Sequence, residues 1–104
     1  MTDEEKCRLK VDEGEILAHY GFEAQVQQLK EELIELFDAA TDYIEKTDTE
    51  EHFLEEVADV LVMCDQMIIH FNGRDKVEEI MKSNVKRQLN RIGNEIRKSA
   101  KGKC

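Results

Sequence analysis

Four acids set into apolar runs are the residues of this sequence best placed to do chemistry. Residues 30–36 read KEELIEL, and residues 55–61 read EEVADVL. Glu32 and Glu35 stand three apart, as do Glu56 and Asp59. On a helix that spacing puts two side chains on one face, about 60° apart around the axis. Each pair can therefore aim at one point. Leu29, Leu33 and Leu36 surround Glu32, so its face is at least half buried. Asp59 lies among Val57, Val60 and Met63 in the most apolar segment of the chain.

Burying unpaired carboxylates is costly, and four together also repel one another. Neither apolar run offers a lysine on the right face. Divalent cations compensate several acids at once, and carboxylate-only sites suit hard ions such as Mg²⁺ or Mn²⁺. A Mg²⁺ held this way keeps waters and open positions, where phosphate oxygens bind and an activated water attacks. The plainer reading is a solvated surface, because Glu is common on helix exteriors and a lone E-x-x-E carries almost no signal. Two acid pairs, each inside an apolar run and on consecutive helices, are much harder to obtain by chance.

Other chemistries lack their residues. Di-iron carboxylate bundles need Glu-x-x-His pairs. Three residues before His19, His52 and His70 stand Ile16, Thr49 and Met67. No Cys or His cluster suggests zinc, no Gly-rich loop suggests a P-loop, and no Ser–His–Asp set is evident.

The elements that must position these acids are helices. Charged residues make up 38% of the 104, and there is no proline. That composition favours helix over strand and predicts an all-α fold. A first helix is expected over 8–20, stopping at Gly21. A second is expected from Phe22 to about Lys46, with Val26, Leu29, Leu33, Leu36, Phe37, Ala40 and Ile44 at steps of three and four. Thr47 with Glu50, or Asp48 with Glu51, forms a candidate capping box for a third helix over about 49–71. That helix is apolar on nearly every side from Val57 to Phe71. Three other helices of so short a chain can hardly cover it, so a second subunit is expected over part of it. Asn72-Gly73 ends it. A fourth helix is expected from about Asp75 into the nineties, with Val77, Met81, Val85, Leu89, Ile92 and Ile96 inward. Gly93 weakens or ends it, and residues 98–104, KSAKGKC, read as a frayed basic tail.

The formal net charge of −9 is unevenly spread. Residues 1–81 hold 23 acids against 7 Lys or Arg, a balance of −16, whereas residues 82–104 hold 8 Lys or Arg against one acid, a balance of +7. An acidic body with a basic last segment argues against a general DNA binder and suits a cation centre paired with an anion-binding arm. The three cysteines, Cys7, Cys64 and Cys104, match no zinc spacing, and no secretory signal precedes them. They read as free thiols of a reducing cytoplasm. The most apolar stretch, 57–71, carries Asp59, Asp65 and Gln66 and is too short and polar to span a membrane.

E-x-x-E on one helix and E-x-x-D on the next, about twenty residues on, resembles the all-α nucleoside triphosphate pyrophosphohydrolases. That superfamily includes MazG, the dimeric dUTPases, the dCTP pyrophosphatases and phosphoribosyl-ATP pyrophosphohydrolase. Glu31-Glu32-Leu33-Ile34-Glu35 looks like its EExxE, and Glu56-Val57-Ala58-Asp59 looks like its ExxD. GFEAQVQQLKEELIEL, with RQLNRI near the end, resembles small MazG-like proteins of bacteria and phages. The similarity covers about residues 15–95 of a single domain. It implies a four-helix bundle assembled as an intertwined dimer or tetramer. It also implies hydrolysis of a (d)NTP to the monophosphate and pyrophosphate with Mg²⁺, in nucleotide-pool house-cleaning.

On that resemblance Glu32, Glu35, Glu56 and Asp59 hold metal. One of the two ExxE acids, Glu35 in preference to Glu32, also orients the attacking water, and Glu31 is a supporting acid or an exposed one. A Lys and an Asn after the ExxD helix contact phosphate and nucleotide in relatives, which singles out Lys86 and Asn90. Lys82 shares their face, and Arg87 and Arg91 form the adjacent stripe. Gln25 and Gln28 precede Glu32 on its side, where they face nucleotide or solvent. His52, one turn before Glu56, reaches toward the site, whereas His19 and His70 read as structural. There is no tryptophan for an aromatic base platform; Tyr20, Phe22, Tyr43 and Phe53 are the available rings. The competing readings are a non-catalytic helical interaction module, a phosphoribosyl-ATP pyrophosphohydrolase-like enzyme, and a nucleic-acid-associated protein using 82–104 as its arm.

Overall fold

The computed structural model describes residues 1–102 and contains four α-helices and no strand among them: α1 (Asp3–Tyr20), α2 (Phe22–Ile44), α3 (Glu50–Phe71) and α4 (Arg74–Gly102). The chain divides into two compact units, Met1–Asn72 and Gly73 onward. No helix among the described residues is long and apolar enough to cross a membrane.

Local signals account for most helix ends. α1 begins at Asp3, five residues before the expected start, because Thr2 and Glu5 form a capping box. Thr2 Oγ1 accepts from the Glu5 amide at 3.1 Å, and Glu5 Oε1 accepts from the Thr2 amide at 3.0 Å. The T-x-x-E signature was present in the sequence. Gly21 separates α1 from α2 at φ +88°, a conformation that disfavours any residue with a Cβ. α3 is capped by Thr49, whose hydroxyl accepts from the His52 amide at 3.2 Å. Neither Thr47 nor Asp48 is the cap; Thr47 instead donates its hydroxyl to the Asp42 carbonyl at the end of α2. Asn72 closes α3 in the left-handed conformation.

Of the two effects expected of Gly93, weakening or ending α4, the ending does not occur. α4 runs through it to Gly102, so the basic segment expected to fray at 98 is helical there. One glycine costs a long helix only about 1 kcal/mol, which its neighbours offset. Of the tail, Lys103 and Cys104 lie outside the described residues.

In the first unit α2 and α3 make the main interface, and α1 packs against both. The five-residue link, 45–49, makes α2 and α3 antiparallel neighbours. Their register can be read along the seam. Phe22 stacks on His70 with ring centroids 3.8 Å apart, Gln25 meets Gln66, Glu32 meets Glu56, and Tyr43 meets Phe53 at 5.5 Å.

The buried apolar side chains are Leu17, Ala39, Val60 and Met63, joined by three polar ones: Glu13, Gln25 and Gln66. Gln25 Nε2 donates to Gln66 Oε1 at 2.7 Å, so the seam carries a satisfied amide pair. Gln25 is therefore part of the core and faces neither nucleotide nor solvent.

The face of α2 that packs is shifted from the expected one. Gln25, Leu29, Glu32, Leu36 and Ala39 point inward, while Leu33, Phe37 and Ile44 are exposed, Phe37 by 71%. On α3, Leu61 and Val62 are exposed as well. In the second unit Met81, Val85, Leu89, Ile92 and Ile96, expected inward, are all exposed along α4.

Candidate metal centre

The α2–α3 seam explains why acids stand among apolar residues. Following Gln25 by seven residues, Glu32 falls on the packing face of α2. Glu56 falls on that of α3, one turn before Val60. Antiparallel pairing then sets the two acids opposite each other. Glu35, one turn on from Glu32, reaches the same point. Glu32, Glu35 and Glu56 each offer one carboxylate oxygen, and the three atoms lie within 4.8 Å of one another. Glu32 and Glu56 are half-buried, and Glu35 is exposed.

Asp59 stands outside this trio and is exposed, in contrast to the buried setting its neighbours suggest in sequence. It is still close enough for its charge to act on Glu32. Burial is the main cause that raises the Glu32 carboxyl above its ordinary 4.5. The charges of Glu35 and Asp59 push it the same way, against the hydrogen bond from Gln28. Glu31 is exposed and lies outside the trio.

The oxygens of the two half-buried acids are unequal. Glu32 Oε1 accepts from Gln28 Nε2 at 2.8 Å, whereas Glu32 Oε2 is buried without a hydrogen-bond partner. Glu56 Oε1 lies 3.3 Å from His52 Nε2, whereas Glu56 Oε2 is buried without a partner. The other imidazole nitrogen, Nδ1, contacts Asp48 Oδ2. That hydrogen bond is the main cause raising His52 above its ordinary 6.5. His52 thus contacts Glu56, one turn on from it in α3. Gln28 contacts Glu32.

Two buried carboxylate oxygens without a hydrogen-bond partner beside a third acid are costly until a proton or a cation neutralises the charge, and the raised Glu32 carboxyl is the proton's side of that balance. The donor set is oxygen only and clustered on two rigid helices, the kind of set that hard divalent cations take.

The basic candidates belong to the second unit. Lys82 and Lys86 flank a shallow apolar groove along α4 formed by Met81, Val85 and Leu89, with Glu78 at its edge. Arg87 and Arg91 lie on another stripe with Asn84 and Gln88, where Arg87 donates to Asn84. Asn90 is exposed between them. The aromatic candidates are used locally: Phe22 stacks on His70, Tyr43 packs on Phe53, and Tyr20 meets His19 edge to face. Cys7 and Cys64 are free thiols, and burial raises Cys64 above its ordinary value.

Set against known proteins, the chain matches no family model, no curated protein and no solved structure.

Proposed function

We propose that the protein is a Mg²⁺-dependent nucleoside triphosphate pyrophosphohydrolase of the MazG-like kind. It would cleave a (d)NTP to the monophosphate and pyrophosphate, and Mn²⁺ would substitute for Mg²⁺. The observation that carries this reading is the convergence of Glu32, Glu35 and Glu56, with two buried oxygens that have no partner. Its second support is the resemblance of the EExxE and ExxD motifs.

In this reading Glu32 and Glu56 are the main holders of the cation, with Glu35 beside them and Asp59 completing the set once a charge draws it in. Bound Mg²⁺ supplies charge compensation and Lewis acidity toward phosphate oxygens. Glu35 is the exposed member of the trio and so the one that can reach a water on the substrate. It orients that water and takes its proton as the water oxygen joins phosphorus and the bond to the pyrophosphate oxygen breaks. By the resemblance, Lys82, Lys86, Arg87, Asn90 and Arg91 of the second unit are the candidate phosphate donors. The enzyme works in the reducing cytoplasm, cleansing the nucleotide pool. It works as a homo-oligomer, because the apolar faces of α2, α3 and α4 need cover.

A non-catalytic interaction module of the same helices is the second reading, favoured by those exposed apolar faces. Pyrophosphate release from a panel of NTPs and dNTPs, with and without Mg²⁺, separates the two. Mg²⁺-dependent release that disappears in Glu35→Gln while the helical circular dichroism stays unchanged supports the enzyme. No release from any nucleotide, by a folded chain, supports the module.

A further inference from the structure

The two half-buried carboxylates are each engaged from one turn earlier on their own helix, Glu32 through a hydrogen bond and Glu56 through an ion-pair contact. Gln28 stands four residues before Glu32, and His52 four residues before Glu56. Each lies one turn earlier on its own helix and engages Oε1 of its acid, Gln28 at 2.8 Å and His52 at 3.3 Å. In both acids Oε2 is left buried and without a partner. One such contact would be ordinary for a helix surface. Two such contacts on facing helices, each at an acid whose other oxygen is buried without a partner, divide the labour of the carboxylates.

We propose that Gln28 and His52 are positioning residues that occupy one oxygen of each carboxylate and present the other to a bound divalent cation. The proposal rests on reading the acid trio as a cation centre. A carboxylate with both oxygens free rotates about its last torsion and can bind through one oxygen or both. A donor fixed on Oε1 stops that rotation and leaves a one-oxygen ligand. His52 is itself braced, because its Nδ1 contacts Asp48. Both of its nitrogens face carboxylates, so the ring is an orienter and has no free nitrogen with which to ligate. Gln28 is likewise a partner of Glu32. Glu35, by contrast, is the exposed member of the trio.

Mn²⁺ titration of the purified full chain, followed by calorimetry and by electron paramagnetic resonance, tests this without turnover. The wild type is expected to bind Mn²⁺, and Glu56→Gln to abolish most of that binding. Gln28→Leu and His52→Ala are each expected to weaken binding about 10–100-fold and to broaden the Mn²⁺ spectrum, with helical content unchanged. His52→Gln is expected to recover much of the affinity, because an amide there can still donate to Glu56. Affinities within about twofold of wild type in both Gln28→Leu and His52→Ala overturn the proposal and leave the cation reading standing. Equal losses in His52→Ala and His52→Gln overturn the role of His52. A wild-type chain that binds no Mn²⁺ removes the cation reading itself, and this proposal with it.

Discussion

Glu32 concentrates the energetic conflict of the molecule. It sits on a packing seam, near two other acids, with one oxygen unpartnered. Its carboxyl is raised above 4.5, so the folded chain holds that proton more tightly than the unfolded chain. The stabilisation this gives is complete below pH 4.5 and is lost as pH rises through the raised value. His52, raised above 6.5, adds a second loss of the same sign as pH climbs past its own value. Asp48 and Glu5 are lowered and act in the opposite sense, but their windows close below 3.8 and 4.5. In cation-free buffer Tm is therefore expected to fall as pH rises above 4.5, and calorimetric scans across that range check it. Glu32→Gln removes the part due to that acid. At neutral pH the same substitution is expected to raise Tm of the cation-free chain by a few degrees, through relief of about 1 kcal/mol. The wild type is expected to gain as much or more from added Mg²⁺, and Glu32→Gln to gain little.

At the scale of the element, the α2–α3 seam is a stack of unlike layers: an aromatic pair at each end, an amide pair, and the acids between. The amide pair is the most exacting. Gln25→Leu removes the donor to Gln66 Oε1 and leaves that oxygen buried, a cost of about 1–3 kcal/mol. Gln25→Leu combined with Gln66→Leu is expected to recover most of that cost, because an apolar pair leaves no orphan. Urea midpoints of the wild type, the two single variants and the double variant give the coupling directly, and additive losses would contradict the pairing. The start of α3 is a simpler case. Thr49→Ala removes the cap on the His52 amide and is expected to cost about 1 kcal/mol. Because that end also orients His52, Mn²⁺ affinity should fall along with stability.

Each of the two units carries large apolar side chains that its own helices leave uncovered. Phe37, Ile44 and Leu61 in the first unit, and Met81, Val85, Leu89 and Ile96 in the second, are each more than half exposed. Contiguous apolar faces of this kind mark association surfaces. Sedimentation is expected to give a species at least twice the 12.1 kDa of the chain. Leu89→Glu with Met81→Glu is expected to shift it toward the monomer and to lower Tm. A single 12.1 kDa species at micromolar concentration, with a cooperative melt, would contradict this expectation.

The helices themselves were legible in residue order, because their signals are local. Composition without proline, apolar residues at steps of three and four, Gly21 as a stop and Asn72-Gly73 as an end all act within a few residues. So did the Thr2–Glu5 box, which a search for T-x-x-E would have found. The acid spacing also marked Glu32, Glu35 and Glu56 before any packing was known, since residues three apart share a face on any helix. Tertiary structure decided which face that was. The apolar period of α2 favours Leu33, Phe37 and Ile44. The seam instead follows Gln25, Glu32 and Ala39, because the antiparallel register with α3 supplies Gln66 and Glu56 as partners across it. The same register left Asp59 exposed beside the trio. It also orphaned one oxygen on each of two acids, an outcome set by contacts between residues more than twenty positions apart in the chain.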